Sequence, residues 1–156
     1  MIAQLDIDDR VAGFMAACRD RGFKATHQRL EILRVLTANP VHPDAETIYR
    51  IVRKRLPSIS LDTVYRTLRM LAENGLIARV GVFQERARFD DNTQPHPHLV
   101  CTRCGHIADW PGESISLPPP SEPREGSAPG VVDSVYVEYR GVCRNCHNPD
   151  NGTAQP

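Results

Sequence analysis

Two C-x-x-C pairs, Cys101/Cys104 and Cys143/Cys146, mark the last third of this 156-residue chain, and His96-Pro97-His98 stands just ahead of the first pair. Four thiolates at that spacing suit a closed tetrahedral zinc, because each hairpin presents two soft sulfurs to one ion. Such a site is structural. The imidazole pair is different: on a strand, the two side chains of His-x-His point to one face, where they can grip a second, harder metal together with carboxylates. Two metals with different tasks are therefore expected. The fifth cysteine, Cys18, falls on the apolar stripe of a predicted helix and reads as a small core residue.

Composition bounds the setting of these sites. With 40% hydrophobic and 24% charged residues, the chain suits one soluble domain or two small ones. No apolar run reaches the roughly 18 residues of a membrane span, and Met1 to Arg10 lacks a basic stretch followed by an apolar one. The expectation is a cytoplasmic protein with no membrane partner. Clustered cysteines fit metal binding in a reducing compartment better than a disulfide framework. The formal net charge is zero, but residues 1–90 carry 15 Lys/Arg against 11 Asp/Glu, while residues 91–156 carry 4 against 8. A mildly basic lobe joined to an acidic, metal-rich lobe is what a DNA reader with an attached sensor requires.

The elements that must position these residues follow from periodicity. Val11, Phe14, Met15 and Cys18 recur at helical spacing, which predicts a helix from Asp8 to Arg21 ended by Gly22. Thr26 caps a second helix with Leu30, Leu33 and Val35/Leu36 inward, stopped by Asn39-Pro40, and Asp44 caps a third that ends near Leu56-Pro57. In the fourth, Ser60 is the N-cap, Val64, Leu68 and Leu71 form the buried stripe, and Gly75 is the stop. Its other face carries Asp62, Thr63, Tyr65, Arg66 and Arg69, where a recognition helix meets base edges and phosphates. A hairpin follows, with Leu76 to Val80, a turn at Gly81-Val82 and Phe83 to Phe89, carrying Arg79, Arg86 and Arg88. Helices, recognition helix and hairpin in that order predict a winged helix-turn-helix.

The same residues resemble the ferric uptake regulator (Fur) family of metal-dependent bacterial repressors. The matching stretches are Gly22 to Arg29, His42 to Tyr49, Asp62 to Leu68 and Asn74 to Ile77, completed by the cysteine pairs with Gly105 after the first and Gly141 before the second. The resemblance implies an α+β protein with a winged-helix DNA-binding domain over residues 1–89, a small α/β dimerisation domain over 90–148 holding the four-cysteine zinc, and a tail over 149–156. It also implies a homodimer on an inverted-repeat operator in double-stranded DNA, with Thr63, Tyr65, Arg66 and Arg69 as DNA-binding residues. Carried over by residue, the ligands of the regulatory metal fall on His42, Asp90, His96, His98 and Asp109. One ion there would join the two domains. Asp91 is an adjacent competitor for the role of Asp90, while His106 and His147, which flank the cysteine knuckles, read as exposed bystanders.

A set of three histidines and two aspartates resembles the peroxide-sensing (PerR) branch, since iron regulators more often use glutamate. That branch implies Fe(II) or Mn(II) in the regulatory site, with Zn(II) as a further candidate, and iron-dependent oxidation of His42 and His96 by hydrogen peroxide. The alternative within the family is a ferric or zinc uptake regulator that senses metal concentration and leaves these histidines unmodified. An enzyme is not expected, because no spare general base or nucleophile motif accompanies the ligands. Two departures from the family stand out. Ser116 to Gly130 is too rich in proline for the helix that family members place there, so a loop is expected, with the dimer leaning on a strand from Val131 to Arg140. Ser134, Val135, Tyr136, Pro95 and Pro97 occupy positions that serve an additional metal in some relatives, so a third site is not expected.

Overall fold

The computed structural model describes residues 4–81, 86–110 and 135–147. Within it the chain divides between Thr93 and Gln94 into two compact units.

The first unit begins with α1 (Gln4–Asp20), α2 (His27–Thr37), α3 (Ala45–Val52) and α4 (Leu61–Glu73). Each of the last three starts where a side chain satisfies an otherwise unpaired amide: Thr26 Oγ1 accepts from Arg29 N, Asp44 Oδ1 from Thr47 N, and Ser60 Oγ from Thr63 N. Gly22 and Gly75 end α1 and α4 with φ of 76° and 63°, the left-handed geometry that lets the last turn close. The third helix is shorter than its expected end near Leu56; after Val52 the chain continues in turns that still bond Leu56 N to Val52 O. Ile32, Leu33, Leu36, Ile48, Val52, Val64, Leu68 and Leu71 form a core with almost no exposure. The stripe expected on α4 is therefore the one buried, and Cys18 is 2% exposed in the same core.

Two strands follow α4: β1 (Ala78–Val80) pairs antiparallel with β2 (Arg88–Asp90), with Arg79 opposite Phe89. The second strand thus runs through Asp90, past the expected domain boundary. Residues 82–85, which include part of the expected turn and strand, lie outside the described residues. Helix-turn-helix followed by a hairpin is the winged-helix arrangement.

The second unit holds a three-stranded sheet of order β4-β3-β5, from β3 (His98–Cys101), β4 (Ile107–Asp109) and β5 (Glu138–Gly141), then a short α5 (Arg144–His147). Its centre is β3, antiparallel to β4 and parallel to β5. The strand expected over Val131 to Arg140 is β5, beginning at Glu138 among the described residues; the proline-rich segment and the tail lie outside them. Among the described residues no helix is long and apolar enough to cross a membrane.

Candidate metal centres

The cysteine site is built by two knuckles. Cys101 ends β3, a turn follows, and Gly105 at φ 68° lets the chain double back so that Gly105 N bonds Cys101 O and Cys101 N bonds His106 O. The partner knuckle starts after β5, where Cys146 N and His147 N both bond Cys143 O. Thr102 N to Gly141 O at 2.7 Å and Arg103 Nη1 to Cys146 O at 2.7 Å tie the two together. All four sulfurs lie within 4.8 Å of one another, and Cys104 Sγ is 3.8 Å from Cys143 Sγ. Four Zn–S bonds of about 2.3 Å in a tetrahedron place the sulfurs about 3.8 Å apart, so the cluster has the size zinc requires.

The thiols are also prepared electronically. Burial alone would raise the Cys101 pKa, but backbone N–H groups of Cys143, Cys104 and Arg103 outweigh it and bring the thiol down to about 6. One of these bonds is Cys143 N to Cys101 Sγ at 3.3 Å. Cys146 is pushed up to about 12, first by its contacts with the Cys104 and Cys143 sulfurs. A cluster that holds one thiolate easily and resists the next is asking for a cation.

Two further histidine–aspartate groups lie one in each unit. In the first, His42 sits in the α2–α3 connection with φ 49°, a left-handed conformation that costs a non-glycine residue about 1 to 2 kcal/mol. Its Nδ1 lies 3.9 Å from Asp90 Oδ1, and Asp90 Oδ1 also accepts from Asn92 N at 2.9 Å. Both residues are buried, at 3% exposure each. A histidine and an aspartate buried together need a hydrogen bond, a shared proton or a shared cation to offset the hydration each loses. Asp91 is spoken for elsewhere, with Oδ2 2.6 Å from Arg10 Nη2.

In the second unit the β3/β4 register sets His98 directly opposite Asp109, with His98 Nε2 3.7 Å from Asp109 Oδ1. His96 does not lie on the strand as expected; it precedes β3, yet its ring centroid lies 4.4 Å from that of His98, the two planes tilted by 50°. Its Nδ1 is 2.7 Å from the Gln94 carbonyl, which can only accept, so Nδ1 carries a proton and Nε2 is the nitrogen left to meet Asp109. Nε2 lies 3.1 Å from Asp109 Oδ1, a separation that a second ring proton or a shared cation bridges. A carbonyl fixing the tautomer of an imidazole is a usual accompaniment of metal ligation.

The remaining predicted residues are placed as follows. Tyr65, Arg66 and Arg69 are exposed on α4, with Tyr65 48% accessible. Thr63 is half-buried and its hydroxyl lies 2.8 Å from Ser60 Oγ, so it serves the helix cap as well as facing outward. Arg66 pairs with Asp62 at 3.5 Å and Arg69 with Glu73 at 2.7 Å. His27, His106 and His147 are exposed. Two residues escaped the sequence reading: Gln94, whose backbone sets the His96 tautomer, and Arg10, which claims Asp91. A backbone carbonyl leaves no signature in side-chain chemistry, and the Arg10–Asp91 pair joins positions far apart in the chain, beyond any local pattern.

This chain belongs to the ferric uptake regulator family, whose profile matches residues 20–124. Members are DNA-binding, metal-responsive transcriptional regulators and not enzymes, and the chain is one of these. It is 32% identical to the peroxide-responsive repressor PerR of Staphylococcus epidermidis over 156 residues, covering 97% of this chain and 100% of that protein. Among solved structures, the Campylobacter jejuni peroxide stress regulator matches with a TM-score of 0.61 and 30% identity over 85% of this chain and 98% of that one. The Helicobacter pylori ferric uptake regulator Fur matches at 0.66 over 92% and 95%; at 19% identity it speaks for the fold.

Proposed function

We propose that this regulator represses transcription in a metal-loaded state and is released by hydrogen peroxide. The observation that carries the proposal is the donor chemistry: buried His42 with Asp90 in one unit, and His96 and His98 with Asp109 in the other, all nitrogen and aspartate oxygen with no sulfur. This is a set for Fe(II) or Mn(II), with Zn(II) able to occupy it. Shared by one ion, the five ligands would join the winged-helix unit to the sensor unit. The ion then favours whichever arrangement of the two it fits, and only that difference in affinity shifts the protein toward a DNA-competent form. When bound, iron supplies the redox chemistry with hydrogen peroxide that manganese does not.

The protein's own part is to present imidazoles that are both ligands and targets. His42 and His96 are the residues that gain oxygen, and an oxidised ring no longer offers the lone pair that held the site together. Support for this signal comes from the PerR repressor of Staphylococcus epidermidis and the peroxide stress regulator of Campylobacter jejuni, whose names carry it. Zinc in the four-cysteine cluster has the separate task of holding the second unit folded.

DNA is met by the exposed face of α4 through Thr63, Tyr65, Arg66 and Arg69, and a homodimer of this chain reads an inverted repeat, as two-fold symmetry requires. Val135, Tyr136, Tyr139 and Val142, exposed large apolar residues on or beside β5, support the second unit as the dimer surface. In the deciding experiment, reduced, zinc-containing protein is loaded anaerobically with Fe(II) or Mn(II), treated with a small excess of peroxide, and digested for mass spectrometry. One added oxygen on peptides holding His42 or His96, with iron only and with loss of DNA binding, is the expected result. Unmodified histidines with DNA binding intact would move the protein to the ferric or zinc uptake regulators.

A further inference from the structure

Arg88 stands in β2, two residues before Asp90, where a basic residue of a wing is ordinarily assigned to DNA. Its contacts lie elsewhere. Nη1 donates to the His42 carbonyl at 3.2 Å, the Arg88 backbone forms an antiparallel bridge with Asp44, and Phe89 N donates to Pro43 O at 3.2 Å. Residues 42–44 are thus laid along β2 as a short extra rung, with the His42 and Asp90 side chains meeting at one end. Just ahead of β2, Arg86 adds a second clasp to the same region, 2.5 Å from Glu46 Oε2 and 3.8 Å from Asp44 Oδ2.

His42 needs such support. Its left-handed backbone at φ 49° is unfavourable for any residue with a Cβ, and such conformations persist where the surroundings over-determine them. Pro43 gives no relief, since a residue before proline is steered to extended backbone at negative φ. A charged donor on the His42 carbonyl does, since charge-assisted hydrogen bonds are about twice as strong as neutral ones.

We propose that Arg88 is a positioning residue for the regulatory metal: by gripping the His42 carbonyl from the strand that bears Asp90, it fixes the two side chains of this half-site relative to each other. The proposal rests on the reading of His42 and Asp90 as ligands. On this account Arg88 serves metal binding, and the phosphate backbone is met by other residues. The ladder also runs from the ligands to the wing, so a change at His42 is passed to β2 directly.

The test uses full-length, zinc-containing protein and Mn(II) as probe, with affinity read from the loss of the free Mn(II) electron paramagnetic resonance signal. Arg88→Met, which keeps the volume and removes the donor, is expected to weaken Mn(II) binding about 10- to 100-fold, the range for outer partners of metal ligands. Arg88→Lys, which keeps the charge and can place one donor on the same carbonyl, should fall between that variant and the unaltered protein, a loss of about threefold or more. For Arg88→Met, which removes the charge, the salt dependence of binding to a random-sequence duplex at saturating Mn(II) should keep its slope, whereas loss of a phosphate contact would lower it by about one. Zinc content and circular dichroism establish that each variant is folded. Should Arg88→Met fail that check, Arg88→Lys decides alone: weakened Mn(II) binding supports the assignment, and unchanged binding overturns it. A lowered salt slope with unchanged Mn(II) affinity likewise overturns it in favour of a DNA contact. His42→Ala is the control for the underlying reading, because if it binds Mn(II) like the unaltered protein, the ligand assignment has failed before Arg88 is in question.

Discussion

His42 Nδ1 lies 3.9 Å from Asp90 Oδ1 with both side chains about 4% exposed, while the neighbouring Asp91 meets Arg10 at 2.6 Å. Two consecutive carboxylates are thereby given separate work. Asp90 is turned to a nitrogen that can share a cation with it, and Asp91 to a guanidinium that neutralises it. Asp90→Asn is accordingly expected to weaken Mn(II) binding by at least about tenfold, and Asp91→Asn to leave it near that of the unaltered protein. Burial pushes the Asp91 carboxyl up in spite of Arg10, so the pair recovers only part of the desolvation cost. Because Arg10 keeps a third of its side chain exposed and can return to water when its partner is lost, Asp91→Asn should lower stability by about 1 kcal/mol or less. Metal titration with thermal unfolding of both variants checks the division, which reversed affinities would contradict.

Zinc binding to the four-cysteine cluster should release protons in a pH-dependent number. With Cys101 near 6 and Cys146 near 12 in the metal-free cluster, Cys101 is already largely ionised at pH 8 whereas Cys146 must surrender a whole proton. Lowering the pH through about 6 protonates Cys101 as well, so the number released per zinc rises and the apparent affinity falls. Calorimetry in buffers of different ionisation enthalpy measures this directly. In the same material Cys18, 2% exposed and with its thiol pushed up by burial, should resist a thiol reagent after chelation has exposed the other four, and react only in denaturant.

How much of this was readable beforehand follows from the range of each interaction. Caps at Thr26, Asp44 and Ser60, the buried stripe of Val64, Leu68 and Leu71, and the C-x-x-C knuckles are all local, and local chemistry fixes them. Helix ends proved softer: α1 begins at Gln4, ahead of the expected Asp8, and α3 yields to turns after Val52, because a helix end depends on what its last carbonyls meet. His96 preceding β3 could not be read from His-x-His alone, since the alternation argument assumes a strand through both residues. The role of Arg88 was hidden for a different reason. Nothing in a basic residue on a hairpin says that its guanidinium will turn back to a carbonyl forty-six residues earlier.

The cap of α3 carries a pH signature of its own. Burial would raise the Asp44 carboxyl, but its bonds to Thr47 and the nearby Arg88 and Arg86 outweigh this and hold it below its usual 3.8. A depressed folded pKa means the unfolded chain binds the proton first, so this stabilisation is complete above about pH 4 and is lost as the pH falls through the lower folded value. Asp44→Ala is expected to cost about 1 kcal/mol at neutral pH, within the range for N-cap removal. The difference from the unaltered protein should shrink as the pH drops below about 4. Urea unfolding at neutral and acid pH is the measurement, and a constant difference would mean that the ionised carboxylate is not what caps the helix.

On α4 the outward arginines are partly neutralised by the helix itself, Arg66 by Asp62 at 3.5 Å and Arg69 by Glu73 at 2.7 Å, all four side chains well exposed. Exposed pairs of this kind contribute little to folding, and their cations are easily transferred to a phosphate. If Arg66 makes such a contact, Arg66→Ala should weaken binding to every duplex alike and reduce the salt slope by about one. A base contact behaves differently, relaxing the preference at one position of a selected operator while sparing non-specific binding. Glu73→Gln provides the converse: it releases Arg69 from its internal partner and removes a negative charge from α4, so if this helix meets DNA, affinity should rise while the thermal midpoint hardly moves. Affinities measured over a salt series, on a random duplex and on an operator obtained by in vitro selection, separate these cases. Unchanged affinity in both variants would place the DNA-binding face elsewhere than the exposed side of α4.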